Sequence, residues 1–388
     1  MNAAAPQLMI IAGEVSGDQH AARLVRSLQP RLPGATFFGI GGPELRAAGV
    51  ETLYDIQDMA AVGLNEVVRR FGFFRRVFHA MIAEAERRRP DAVILVDYPG
   101  FNLRLARALH DRGIRTIYYV CPQVWAWNRG RIPRMARILD HLITLFPFEP
   151  PLFAGTGLDA RFGGHPIVDA AREALAAPPP VLPWQGSPRV ALLPGSRINE
   201  INMILPLIWP AAGLIEKQVP GSSFILATPD EGIERIVRDR LATLTGGPTR
   251  YAIVTGQTRQ VLRQATATLV ASGTATLETS LMGSPMVITY RLTPLSWHLC
   301  KALVRIPWIG MVNIVAGKTV CPEILQDAAT PENLAAAMRP LLGDTPERAS
   351  MLAELARVNA ALGDGQAGAQ AAAIVVEALS APRRASAG

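Results

Sequence analysis

The sequence predicts an α/β protein made of two Rossmann-like, doubly wound domains facing a central cleft, followed by an Ala-rich C-terminal helical segment. Three observations predict it. Short apolar, β-leaning runs alternate with longer helical patterns, the rhythm breaks once at a Pro-rich stretch, and the alternation then restarts. A chain of 388 residues is comfortable for two domains, and 49% hydrophobic content is enough for two cores.

In the first half, residues 8–12, 36–39, 92–96, 116–120 and 141–144 read as strands, with helices at 21–28, 74–89 and 102–112. Continuous apolar strands separated by helices argue for a parallel sheet covered on both faces. The segment AREALAAPPPVLPWQGSPR, 171–189, reads as an inter-domain linker, which bounds the first domain at 1–170. Strands resume at 190–193, 223–227, 251–254, 268–270 and 286–289, giving a second domain over 190–345. Residues 346–380 are expected as helices packing back on the first domain, ahead of a polar tail over 381–388.

The charge-free run 201–215 is fifteen residues long and contains Pro206 and Pro210, whereas a membrane-spanning helix needs about 20 mostly apolar residues. The N-terminus has no basic n-region and runs straight into a strand, so a cytoplasmic location is expected. A net charge of +7 and a pI near 9.8 favour acidic partners: nucleic acid, anionic lipid or a phosphorylated substrate. No zinc finger, RNA-binding aromatic signature or long Lys/Arg tract is present, which sets nucleic acid aside. Cys121, Cys300 and Cys321 are widely spaced and suit neither a disulfide framework nor a zinc site.

In a doubly wound fold, ligands bind outside the carboxyl ends of the strands, so strand ends are where chemistry is sought. The first strand runs into AGEVSGDQ, 12–19, a tight turn in which Ser16 and Gln19 fit a capping box. The dinucleotide spacing G-x-G-x-x-G is absent. Asp97 ends a buried strand in ILVDYPGFN. A carboxylate there suits proton abstraction from a sugar hydroxyl and equally suits capping the next helix. Trp125 and Trp127 follow another strand end, where aromatic faces stack on sugars or simply pack. His165, in GGHP, shows no partner and reads as structural.

The second domain offers two phosphate-type loops. LLPGSR sets Gly195, Ser196 and Arg197 between a strand and a helix, and ASGTATLE repeats the logic with Ser272, Gly273 and Thr274. Backbone N–H groups and a forked guanidinium suit phosphate, and two such loops point to a diphosphate. Glu278, one turn past Thr274, is placed to accept hydrogen bonds from ribose hydroxyls. No Walker motif is present, which disfavours an ATPase.

Ten segments stand in a telling order: AGEVSGD, GIGGPELRAAGV, MAAVGLNEV, ILVDYPGFN, YYVCPQVWAW, FPFEPPLF, GGHPIVD, LLPGSR, ASGTATLE and NIVAGKTVCPEILQ. With these, over residues 8–341, the chain resembles the lipid-A-disaccharide synthases. It departs from them at Cys121, where serine is common, and at Asn128, where a basic residue is often seen. The resemblance implies a GT-B fold and metal-independent, inverting transfer without a cofactor. UDP-2,3-diacylglucosamine would give its sugar to the 6-hydroxyl of 2,3-diacylglucosamine 1-phosphate, forming a β-1,6 disaccharide and UDP.

Residue by residue, the resemblance implies Asp97 as base and Arg197 at the diphosphate, both catalytic. Gly195, Ser196, Ser272, Gly273, Thr274 and Glu278 would bind the nucleotide. Glu14, Ser16, Asp18, Asn102 and Trp125 would line the acceptor side or cleft, with Asn313, Glu323 and Gln326 from the late segment. Acylated substrates imply a peripheral hold on the inner face of the cytoplasmic membrane. Phe71, Phe73, Phe74 and Phe78, among Arg69, Arg70, Arg75 and Arg76, suit shallow insertion into an anionic surface. A second mixed stretch, 291–308, carries Trp297, Leu299, Leu303 and Trp308 with Lys301 and Arg305. Inward-packing rings make the same pattern. A homodimer stays open. The competing readings are another UDP-sugar enzyme of this fold (a 2-epimerase or a peptidoglycan-type glycosyltransferase) and a basic nucleic-acid-binding protein.

Overall fold

Two sets of apolar strands, each interrupted by amphipathic helices, bury themselves as two separate parallel sheets. The computed structural model describes residues 5–59, 71–294, 296–297 and 306–382. The chain divides into two compact units, Met1–Pro166 with Gly365–Gly388, and Ile167–Asp364.

Among the described residues, the first unit holds β1 (Gln7–Ala12), β2 (Thr36–Gly41), β3 (Glu51–Asp55), β4 (Ala92–Val96), β5 (Thr116–Tyr119), β6 (His141–Thr144) and β7 (Asp159–Phe162). They pair in the order β3-β2-β1-β4-β5-β6-β7. The β1–β4 register runs in parallel from Leu8 opposite Ala92 to Ala12 opposite Val96. Side chains of a strand alternate between faces, and β1 obeys this. Met9 and Ile11 join the helices Phe71–Arg88 and Pro99–His110 in one core, while Leu8 and Ile10 join Val15–Leu28 and Ala367–Ser380 in the other.

The second unit holds β8 (Arg189–Leu193), β9 (Ser223–Thr228), β10 (Tyr251–Thr255), β11 (Ala267–Ala271), β12 (Met286–Tyr290) and β13 (Glu323–Leu325), in the order β10-β9-β8-β11-β12-β13. In both sheets the chain winds outward from its first strand and then crosses back to the other side. The crossing leaves a crevice at the carboxyl ends, between β1 and β4 in one unit and between β8 and β11 in the other. This is the topological switch point at which such folds bind ligands.

Three boundary expectations are corrected. Residues 171–176 are not linker but the end of the helix Pro166–Ala176. The Pro-rich stretch after it belongs to the second unit: Leu182 is buried there, and the Gln185 N–H donates to Ser223 Oγ at 2.8 Å. The helix Pro346–Ala361 does not return to the first unit; it packs on Ala275–Leu281 and Met311–Ala316 of the second. The helix Ile198–Gln218 is long and apolar enough to cross a membrane by length and composition, yet Ile201, Ile204, Leu205 and Ile208 are fully buried in the second unit's packing.

Candidate active site

The first switch point places Asp97 directly past β4, in a turn that the backbone does not adopt freely. Asp97 and Tyr98 both have φ in the left-handed region, 48° and 50°, a conformation that costs of order 1–3 kcal/mol for such residues. The surroundings impose it. Asn102, fully buried, donates its side-chain amide to the carbonyls of Asp97 (2.8 Å), Val96 (3.2 Å) and Ile11 (3.4 Å). The buried Tyr118 hydroxyl donates to the same Asp97 carbonyl at 2.7 Å. The Asp97 N–H donates to the Tyr119 carbonyl at 2.9 Å, tying the turn to β5. The Tyr98 ring lies over Gly13, where an added Cβ would come within 2.4 Å of the ring, so only glycine fits between β1 and this turn.

Burial pushes the Asp97 carboxyl up to about 6, the charge of Glu14 adds to the rise, and a backbone N–H from Tyr98 partly offsets it. A carboxylate whose proton affinity is raised toward neutrality is a competent base near pH 7. The capping-box expectation fails here. The helix starts at Val15 with Glu14 at its N-cap and makes no side-chain cap, so Glu14 and Ser16 stay exposed on the rim.

Several other expected site residues are spent on the fold. Asp18 is buried, and its oxygens accept from the N–H groups of Gly42 (2.7 Å), Glu44 (3.0 Å) and Leu45 (3.2 Å). It closes the start of the helix Pro43–Ala47 rather than facing an acceptor. Asn102 likewise braces backbone instead of lining a cleft. Trp125 is only 5% exposed, donates its indole N–H to Glu149 Oε1 at 3.1 Å, and meets Phe148 edge-on. Burial raises Glu149 to about 7. Its neighbour Trp127 is 49% exposed, with the Arg131 guanidinium 4.8 Å from its ring, and is the better candidate for a sugar platform. His165 is buried and pushed down to about 4, in keeping with a structural role.

At the second switch point a cavity of about 320 Å³ is lined by both loops, including Gly195, Ser196, Arg197, Ser272, Gly273 and Thr274. Gly195 has φ 118°, and a Cβ there would strike Glu200. Glu200 was not anticipated. Its carboxylate accepts from the Ser196 N–H at 3.0 Å and pairs with Arg197 at 2.8 Å, so it sets both the loop and the exposed guanidinium. Ser272 donates its hydroxyl to the Ile309 carbonyl at 2.8 Å. Glu278 lines the cavity and pairs with Arg259 at 2.7 Å.

Asn313, Glu323 and Gln326, expected at the cleft, each brace backbone of the second unit. Asn313 is fully buried and closes onto Val320 and Cys321 backbone, while Glu323 accepts from Ile309, Gly310 and Asn313. Gln326 accepts from the Leu292 N–H at 2.7 Å. Together Asn313 and Glu323 fix the Ile309–Gly310 backbone that receives Ser272. Among the described residues, no group of three or more His, Cys, Asp or Glu is placed to hold a metal ion.

A family model described as lipid-A-disaccharide synthetase matches residues 8–375. A lipid-A-disaccharide synthase of Syntrophus aciditrophicus is 39% identical over 360 residues, covering 92% of this chain and 93% of that one. The chain belongs to the lipid-A-disaccharide synthase family. It is a glycosyltransferase, and its fold is GT-B. Among solved structures, a putative UDP-N-acetylglucosamine 2-epimerase from Listeria monocytogenes superposes with a TM-score of 0.64 at 17% identity, over 96% of this chain and 95% of that one. The glycotransferase of kitacinnamycin reaches 0.58 at 16% identity, over 96% and 98%. At such identities these two share the fold alone, so a 2-epimerase reading is not favoured.

For this synthase family member, two outcomes test the site. The kcat/KM for the acceptor is expected to fall below pH 6 as Asp97 takes up its proton. Glu14→Gln removes a like charge, favours the anion and moves that limb to lower pH; an unmoved limb contradicts the coupling. Arg197→Ala is expected to weaken UDP binding by about 1.5–3 kcal/mol, the range for hydrogen bonds to charged groups. Calorimetry showing unchanged UDP affinity contradicts its place at the diphosphate.

Proposed function

We propose that the chain transfers 2,3-diacylglucosamine from its UDP derivative to 2,3-diacylglucosamine 1-phosphate, with Asp97 as the base. The observation that carries the reading is the braced Asp97 turn at the first switch point, in a member of this family. The Asp97 carboxylate takes the proton from the acceptor's 6-hydroxyl as that oxygen bonds to the anomeric carbon. The anomeric carbon–oxygen bond to the diphosphate breaks on the opposite face, which inverts the centre. The departing UDP carries the bonding electrons away as diphosphate charge. Arg197 and the N–H groups of the 195–196 and 272–274 loops oppose that charge, and stabilisation of charge that develops only in the transition state is the strongest catalytic lever available to a site. Glu278, oriented by Arg259, receives the ribose hydroxyls.

The same reading places the enzyme at the cytoplasmic face of the inner membrane, where its lipid substrates reside. The surface expected to touch the membrane is narrower than the sequence suggests. Phe71 is 62% exposed, but Phe73, Phe74 and Phe78 are half-buried against the first core. Residues 67–70 of the first stretch, and 295 and 298–305 of the second, lie outside the described residues.

The test is incubation with UDP-diacylglucosamine and the acylated monosaccharide 1-phosphate, with mass analysis for the disaccharide. Asp97→Asn is expected to bind UDP as before and to lower turnover by roughly 10²–10⁴, the span for losing a general base. Removing a carboxylate whose proton affinity is raised in the fold also relieves a cost that grows as pH rises from the ordinary carboxylate range to about 6. The Asn variant is therefore expected to melt higher at pH 7. Wild-type turnover in it contradicts the assignment.

A further inference from the structure

β5 pairs directly with β4, with Tyr119 opposite Val96, so the chain leaving β5 emerges beside the Asp97 turn. Its first helix, Val124–Trp127, turns Trp125 inward to Glu149 and leaves Trp127 exposed. Arg131 opens the next helix, Arg131–Ile138, and lays its guanidinium over the Trp127 ring, 4.8 Å from the centroid. Of the arginines at 129, 131, 134 and 137, Arg131 alone is half-buried and the others are exposed. Among the described residues it forms no ion pair. Helix stability does not explain it. The helix it opens has no side-chain cap and no acidic residue in its first turn, and a cation at a helix N-terminus is opposed by the macrodipole. A guanidinium drawn partly out of water without a carboxylate is short of an anion.

Resting on the reaction proposed above, we infer that Arg131, held against Trp127, binds the phosphate of the acceptor sugar and so selects phosphorylated acceptors. Three observations choose that anion. First, the Tyr118 hydroxyl that braces the Asp97 carbonyl is raised well above its ordinary value by burial; the charges of Asp97 and Cys121 add to the rise, and Arg131 opposes it. Arg131 is therefore within electrostatic reach of the Asp97 turn. Second, the charge acting on the Asp97 carboxyl itself is that of Glu14. A cation near the turn but off the base leaves the base its raised proton affinity. In the acceptor, the 6-hydroxyl and the 1-phosphate lie on either side of the ring oxygen, so a base and a separate cation can meet one sugar at two points. Third, an indole that carries a guanidinium and still stays open to solvent suits a sugar lying between those points. The UDP diphosphate is met by Arg197 and its loops in the second unit. A bilayer surface is met by clusters of exposed cations, whereas Arg131 is single and half-buried.

The acceptor with and without its phosphate supplies the test. The wild-type chain is expected to prefer 2,3-diacylglucosamine 1-phosphate over the unphosphorylated sugar in kcat/KM, mainly through KM. In Arg131→Gln that preference is expected to shrink roughly 10- to 100-fold, the range for a hydrogen bond to a charged group. Arg131→Lys, which keeps the charge but not the planar fork, is expected to recover part of it. Trp127→Ala is expected to shrink the preference about two- to fivefold, and to add nothing in the Arg131→Gln background, as for residues that act through one another. Binding is read without turnover by titrating glucosamine 1-phosphate and following tryptophan fluorescence, with glucosamine and inorganic phosphate as comparison ligands. The response is expected to vanish in Trp127→Phe and to weaken at least about tenfold in affinity in Arg131→Gln. An unaltered preference for the phosphorylated acceptor in Arg131→Gln overturns the assignment. So does inorganic phosphate binding as tightly as the sugar phosphate, which marks a free-anion site, and so does loss of vesicle binding in Arg131→Gln with the preference intact. Absence of disaccharide from either acceptor, with glucosamine 1-phosphate still bound through Arg131, overturns the proposed reaction and leaves the phosphate site standing.

Discussion

The carbonyl of Asp97 accepts two hydrogen bonds from buried side chains, and the site is arranged around that point. Asn102 reaches it from the helix that follows and Tyr118 from the neighbouring strand. Without them, two consecutive left-handed residues at the end of β4 have no reason to stay as they are, since the conformation is costly for residues with side chains. Because Asn102 also holds Val96 and Ile11, it couples the ends of β1 and β4 and so defines the crevice itself. Asp97, the base in the reaction proposed above, is placed by hydrogen bonds to its backbone.

The same placement sets the proton affinity of Asp97. Taking the carboxylate partly out of water raises its proton affinity, and Glu14 on the facing turn raises it further. A carboxylate fixed in this state destabilises the fold at neutral pH, and active sites commonly trade stability for function in this way. The second unit follows a similar plan. Glu200 sets the loop that bears Arg197, and Asn313 with Glu323 sets the backbone that receives Ser272. In each unit a buried or half-buried polar side chain shapes a strand-end loop, and the loop presents the chemistry.

Much of this was legible in the sequence because the signals are local. QLMIIA, AVILV, RVALL and ATLVA are short apolar runs whose burial on both faces leaves no alternation to hide them. The loops after them follow from strand ends, which is why Asp97, Arg197 and Ser272 could be singled out. What was missed is non-local. β3, β7 and β13 are edge strands, half-exposed and partly polar, so no apolar run announces them. Asp18 finds its partners 24 to 27 residues away, and Asn102 reaches one of its own across 91. No spacing rule separates such a strut from a ligand contact. The two tryptophans of VWAW are a similar case: the buried carboxylate of Glu149 draws Trp125 inward and leaves Trp127 outside.

The most direct test of the central claim is the pH dependence of turnover in Asn102→Ala. Asn102 touches no reacting atom, so its loss is expected to leave UDP affinity unchanged. Turnover is expected to fall by about 10²-fold, as displacing a reacting group by an ångström does. As the turn relaxes into water, the acid limb is expected to move from pH 6 toward the ordinary carboxylate range. A folded variant with the wild-type rate and an unmoved limb would show that Asp97 holds its position and its proton affinity without the brace, contradicting the account.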